Sequence, residues 1–185
     1  GTSNISQLWQ NNNGTFAEVT ATAASGLPGV QRNSVAWADY DNDGDLDFLI
    51  TGLSTTGSIS QLWQNNNATF TNVTATAAPA LPGLGTSSVC WGDYDNDGDL
   101  DFLITGISVT GRISQLWQNN NGIFTDVTAT AAPGLPGLSG SVSWADYGND
   151  GDLDFLMTGS TSRISQLWQN DNGIFTDVTA TAAPG

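Results

Sequence analysis

The residues best equipped for chemistry in this chain are aspartates. The run Asp39-Tyr40-Asp41-Asn42-Asp43-Gly44-Asp45-Leu46-Asp47 sets five carboxylates within nine residues, and Asp93, Asp95, Asp97, Asp99 and Asp101 repeat the spacing. A third copy keeps Asp146, Asp150, Asp152 and Asp154 but carries Gly148 at its third position. Carboxylates this close repel one another unless a cation lies between them. Ca2+ suits the set because it takes about six to eight oxygen ligands in flexible geometry, whereas Mg2+ demands a small octahedron and keeps its waters. Alternate side chains of a tightly curled loop point inward, so Asp39, Asp41 and Asp43 converge. Gly44 permits the turn that returns Asp47, and Asp45 is expected to offer its backbone carbonyl. The expectation is up to three Ca2+ ions, one per loop, with the third held more weakly.

An EF-hand also begins Asp-x-Asp-x-Asp-Gly, but it needs a bidentate acid at its twelfth position, between helices. Those positions here are Ile50, Ile104 and Met157. Each loop is flanked instead by short apolar runs that read as strands, so the EF-hand reading fails.

The composition narrows the chemistry further. Eighteen acids face only Arg32, Arg112 and Arg163, for a net charge of -15, and fourteen of those acids lie in the three loops. Such a chain repels nucleic acid and anionic membrane surfaces. It has no His and, since its basic residues are those three arginines, no Lys. The usual general bases and most zinc ligands are therefore missing. A glycosidase pair would need two carboxylates in unlike environments, whereas these acids recur as copies of one loop. No enzymatic activity is expected. Cys90 is alone, and the equivalent residues are the small Ala36 and Ser143, so it reads as packing. No apolar run approaches the ~20 residues of a membrane span, and no signal-peptide pattern opens the chain. It begins Gly1-Thr2 rather than Met, as a processed product or a piece of a longer protein does.

The elements that position the loops follow from an internal repeat. Ile-Ser-Gln-Leu-Trp-Gln-Asn occurs at Ile5, Ile59, Ile113 and Ile164, spaced by 54, 54 and 51 residues. Each unit resolves into four β segments, A to D, which in the first full unit are 34–40, 46–52, 59–64 and 69–75. Strand B is apolar nearly throughout, as in a strand covered on both faces. The three-residue spacing of Phe70 and Val73 in strand D calls for two buried faces or a bulge. Asn-rich stretches at 65–67 and 119–122 suit the C-to-D hairpins. No stretch shows convincing helical periodicity. One such unit cannot bury both faces of its sheet, so neighbours must stack.

Trp-Ala-Asp-Tyr-Asp-Asn-Asp-Gly-Asp-Leu-Asp-Phe-Leu-Ile-Thr-Gly, followed by Gln-Leu-Trp-Gln-Asn-Asn-Asn and Phe-Thr-Asn-Val-Thr, resembles the FG-GAP/VCBS repeat over essentially the whole chain. The resemblance implies an all-β propeller of four-stranded blades, typically seven as in integrin α-subunit heads, with calcium in the loop joining the first two strands. It also implies an extracellular scaffold for adhesion or protein binding, its metal structural rather than catalytic. A lectin of the same propeller type, with sugar pockets between blades, is the alternative.

The sequence divides into a half-blade over 1–27 and blades over 34–80, 88–134 and 141–185. Three and a half blades cannot close a ring, so another copy or further sequence is expected to complete it, and self-association, with a dimer as its simplest form, is the expected partnership. Trp37, Trp91 and Trp144 read as packing between blades. Trp9, Trp63, Trp117 and Trp168 on the C strands are candidate ligand contacts, since a ring repeated in each blade can stack on a sugar. The loops over 53–58, 107–112 and 160–163 vary between repeats and lie opposite the calcium face, where a ligand is expected to meet the protein.

Overall fold

The structure, a computed structural model, describes residues 4–159 and 164–182; the variable loop over 160–163 lies outside them. A hairpin of β1 (Trp9–Asn12) and β2 (Thr15–Glu18) leads into the single helical turn α1 (Thr20–Ala23). The first full blade is β3 (Gln31–Ala38), β4 (Asp47–Ser54), β5 (Gly57–Asn66) and β6 (Thr69–Asn72), followed by α2 (Thr74–Ala77). The second is β7 (Gly85–Gly92), β8 (Asp101–Ser108), β9 (Gly111–Asn120) and β10 (Ile123–Asp126), with α3 (Thr128–Ala131). The third is β11 (Gly140–Ala145), β12 (Asp154–Gly159), β13 (Ile164–Asp171) and β14 (Ile174–Asp177), with α4 (Thr179–Ala182). Each blade is an antiparallel meander in sequence order, and the described residues form three and a half propeller blades with no closed ring.

Strand patterning follows from burial on both faces. Phe48 and Ile50 pack toward the half-blade, while Leu49 between them packs toward the second blade. Leu62 and Trp63 divide the same way, so strand C is not half-exposed as simple alternation would have it. Phe70 and Val73 also face opposite neighbours, which explains their three-residue spacing. Three clusters result, one in each gap between consecutive blades, and within each full blade the leading face stacks Phe on Trp: Phe48 on Trp63, Phe102 on Trp117 and Phe155 on Trp168, at centroid separations of 6.0, 5.8 and 5.8 Å.

Two local features depart from the sequence reading. Strand D stops at Asn72 rather than running to Ala75, because Thr74 leaves the ladder. The Thr74 hydroxyl accepts the Leu62 amide at 2.8 Å and donates to Asn72 Oδ1 at 2.7 Å, while the Ala77 amide turns back to the Val73 carbonyl at 2.9 Å. A Thr-Ala-Thr-Ala helical turn repeats this after every D strand, and in α2 and α3 it buries the alanine at its end. The acids outside the metal loops include Asp126 and Asp177, each of which accepts both the amide and the hydroxyl of the threonine opening that turn. Strand A opens at Gln31 and Gly85, three residues ahead of the expected start, through a bulge where Arg32 and Thr86 take φ of 51° and 49°. Nothing in a run of polar residues announces a left-handed turn at Arg or Thr.

The aspartate loops as a candidate metal centre

Each loop joins strands A and B, and its first aspartate shapes it. Asp39 accepts the Asp43 amide on Oδ1 and the Gly44 amide on Oδ2, both at 3.0 Å, while Asn42 and Gly44 sit at φ of 58° and 92°. Asp43 then accepts the Asp45 amide at 2.8 Å. At the far end Asp47, wholly buried, ties the loop to its own blade: Oδ2 accepts the Tyr40 amide at 3.2 Å and Oδ1 the Asn65 amide at 2.7 Å. The Asp45 carboxylate reaches the C-to-D hairpin and accepts the Asn67 amide at 2.7 Å. The second loop repeats every one of these bonds through Asp93, Asp97, Asp99 and Asp101.

This frame draws carboxylates together. Oxygens of Asp39, Asp41 and Asp43 lie within 4.8 Å of one another, as do oxygens of Asp93, Asp95 and Asp101. The Gln64 amide nitrogen donates to Asp41 Oδ2, and that of Gln118 to Asp95 Oδ2 at 2.6 Å. The second oxygens, Asp41 Oδ1 and Asp95 Oδ1, are buried with no hydrogen-bond partner. A buried, unpartnered carboxylate oxygen is costly unless something positive meets it. All-oxygen donors of full negative charge are the ligand set of a hard divalent cation, so the residues present fit Ca2+.

The electrostatics agree with that need. Burial pushes Asp47 up to about 6 and Asp101 up to about 7, against the pull of the backbone amides that each accepts and with help from neighbouring acids. Asp95 is also raised, chiefly by burial. Tyr40 and Tyr94 are held neutral by burial and by the adjacent carboxylates. Burial likewise drives the Cys90 thiol up to about 12, an inert packing residue whose sulfur faces the Leu103 carbonyl.

The third loop keeps the frame without the convergence. Asp146 accepts the Asp150 and Gly151 amides, Asp154 those of Tyr147 and Asn170, and Asp152 that of Asn172. Gly148 leaves no carboxylate at the third position, and among the described residues its acids form no group like the other two.

Several working residues carry no charge and escape a search for ligands. Gln64 and Gln118 orient the central aspartates, and Asn42 and Asn96 link successive loops by donating to Asp99 and Asp152, each at 3.0 Å. Asn119 and Asn170 cross to the Tyr40 and Tyr94 carbonyls of the preceding blade at 2.8 and 2.7 Å. Their recurrence in each repeat was the available signal. The candidate ligand tryptophans divide: Trp63, Trp117 and Trp168 are buried in the Phe–Trp stacks and cannot take a sugar, which leaves Trp9, 52 % exposed, as the one open ring of that set.

A family model for the FG-GAP-like repeat matches the chain three times, over residues 1–50, 50–104 and 97–157. No curated protein sequence matches it. Successive matches, each taking in an aspartate loop between strands A and B of a four-stranded sheet, cover most of the chain, which therefore belongs to the FG-GAP-like repeat family of β-propeller blades.

Proposed function

We propose that the chain is a calcium-stabilised, non-catalytic extracellular scaffold for adhesion or protein binding. The observation that carries the metal assignment is the pair of orphaned oxygens, Asp41 Oδ1 and Asp95 Oδ1, each buried within its aspartate loop. When bound, the ion supplies positive charge and fixed coordination, and it carries out no bond-making step. Asp39, Asp41 and Asp43 would hold it in the first loop, and Asp93, Asp95 and Asp101 in the second. Calorimetric titration of the metal-free chain with Ca2+ tests this. Two well-defined sites are expected, with Asp41→Asn and Asp95→Asn each abolishing one; unchanged stoichiometry in both variants would refute the assignment.

The scaffold role rests on where the variable residues lie. The B-to-C hairpins of the first two blades turn on the side opposite the aspartate loops, and Val109 at the tip of one is 97 % exposed. A protein partner would meet this face. The lectin alternative now depends on Trp9, and specific glycan binding lost in Trp9→Ala would favour it. An extracellular location suits loops that need abundant calcium, and no helix among the described residues is long and apolar enough to cross a membrane. Self-association would use the trailing face of the third blade, where Leu156 is 50 % exposed although its counterparts Leu49 and Leu103 are wholly buried.

A further inference from the structure

In both groups of converging acids, every carboxylate already has at least one oxygen committed to an N–H donor. In the second loop Asp93 accepts the Asp97 and Gly98 amides, one on each oxygen, and Asp101 likewise accepts those of Asn119 and Tyr94. In the first loop Asp39 accepts the Asp43 and Gly44 amides in the same way, and Asp43 gives one oxygen to the Asp45 amide. All these donors belong to the backbone, so the path of the chain fixes them.

The central aspartates are held differently. Asp41 Oδ2 and Asp95 Oδ2 each accept a side-chain amide, from Gln64 on β5 and from Gln118 on β9. Both glutamines are the sixth residue of the repeated heptapeptide and so occupy one place in strand C of each blade. Asp41 Oδ1 and Asp95 Oδ1 stay buried with no donor. Each central carboxylate is therefore divided, one oxygen engaged by a neutral donor and the other free. The third blade supplies the contrast: Gln169 holds the same place on β13, but Gly148 leaves its loop without the central carboxylate.

A hard divalent cation meets a carboxylate through one oxygen or through both, and the two ions at issue differ in which they accept. Chelation by both oxygens suits Ca2+, which takes about six to eight ligands in flexible geometry, and fits poorly into the strict octahedron of Mg2+. A donor bound to one carboxylate oxygen competes for its lone pairs and fixes the rotation of the group, as outer partners of metal ligands do. Given the calcium sites assigned above to the two loops, we infer that Gln64 and Gln118 are positioning residues that set how the ion is held. Each restricts its central aspartate to a single metal-facing oxygen, Oδ1. The ion then keeps a water where a second carboxylate oxygen would otherwise sit, and each loop separates Ca2+ from Mg2+ less sharply than a chelating aspartate would. The glutamine thus sets cation specificity without touching the cation.

Tb3+ is the probe, because its luminescence decay in H2O against D2O counts the waters on the bound ion. The Asp95→Asn chain, left with the first loop as its site, is compared with the same chain carrying Gln64→Met, a side chain of similar length with no N–H to donate. Gln64→Met is expected to lower the bound waters by one and to raise the preference for Ca2+ over Mg2+, read by competition against Tb3+, by roughly threefold or more. Gln118→Met in the Asp41→Asn chain should do the same, and Gln169→Met should change neither quantity in either chain. A merely structural role for the glutamines would lower stability and leave the water count alone. An unchanged water count in either loop, complete loss of binding on replacing the glutamine, or an equal fall in Gln169→Met would overturn the inference while the calcium sites stood. Failure of the unsubstituted chain to bind Ca2+ or Tb3+ would instead refute the calcium sites, and this inference with them.

Discussion

If blade faces hold the molecule together, one substitution made at equivalent sites must cost very different amounts. Leu103 is wholly buried between the second and third blades, and Leu156 occupies the same position one repeat later with half its surface in solvent. Leu103→Ala removes transfer free energy and leaves a cavity that close-packed neighbours fill poorly, about 3–4 kcal/mol. Leu156→Ala forfeits only part of the transfer term and leaves no enclosed void, so its cost stays below about 1.5 kcal/mol. With a urea dependence near 2 kcal/mol per molar, the midpoints fall by roughly 1.5–2 M and by less than about 0.7 M. Urea unfolding followed by tryptophan emission, in calcium and at a concentration where the chain is monomeric, reads both. Equal shifts would refute the claim that the packing between blades, rather than each sheet alone, sets stability.

Other predictions follow from the loops and the open face. In the metal-free chain, Asp47 and Asp101 titrate near 6 and 7 folded but about 3.9 unfolded, so between about pH 4 and 7 the folded state binds more protons and its stability falls as pH rises. Calcium, which needs the deprotonated carboxylates, should reverse that slope, and Asp101→Asn should flatten it in urea titrations at pH 5 and 7.5. Gly148→Asp restores the missing carboxylate; the added side chain would first meet the movable end of Asp150, at 3.1 Å, so calorimetry should show a third calcium site. An unchanged stoichiometry would contradict that reading of the third loop. Leu156→Asp should abolish any self-association seen in sedimentation velocity, and a persistent dimer would move the contact elsewhere.

The sequence carries the architecture because recurrence at a fixed interval is independent of local propensity. Four copies of one heptapeptide and three aspartate runs define blades, strand order and the face on which the loops lie. The loop acids are legible for the same reason, since carboxylates crowded between apolar strands repel one another unless a cation lies among them. What the chain conceals is the division of labour within the cluster. Asp45 looks like a carbonyl donor, yet its carboxylate caps the hairpin at Asn67, while the uncharged Gln64 and Asn42 orient and link the loops. Strand ends are concealed as well. Thr74 starts a helical turn through its hydroxyl, and Arg32 adopts a left-handed φ within a bulge, and residue type announces neither. The buried C-strand tryptophans make the same point, because a ring repeated in every blade reads equally well as ligand contact or as core until the neighbouring phenylalanine is seen.

The most direct test of the central claim is thermal unfolding of the chain in excess Ca2+ and after complete chelation. Two sites filled at about a hundred times their dissociation constants contribute roughly 5 kcal/mol, which for a chain of this size lowers the midpoint by about 10–20 °C when the ion is withdrawn. That loss, restored by added Ca2+, is the expected result. An identical midpoint with and without the ion would contradict the account.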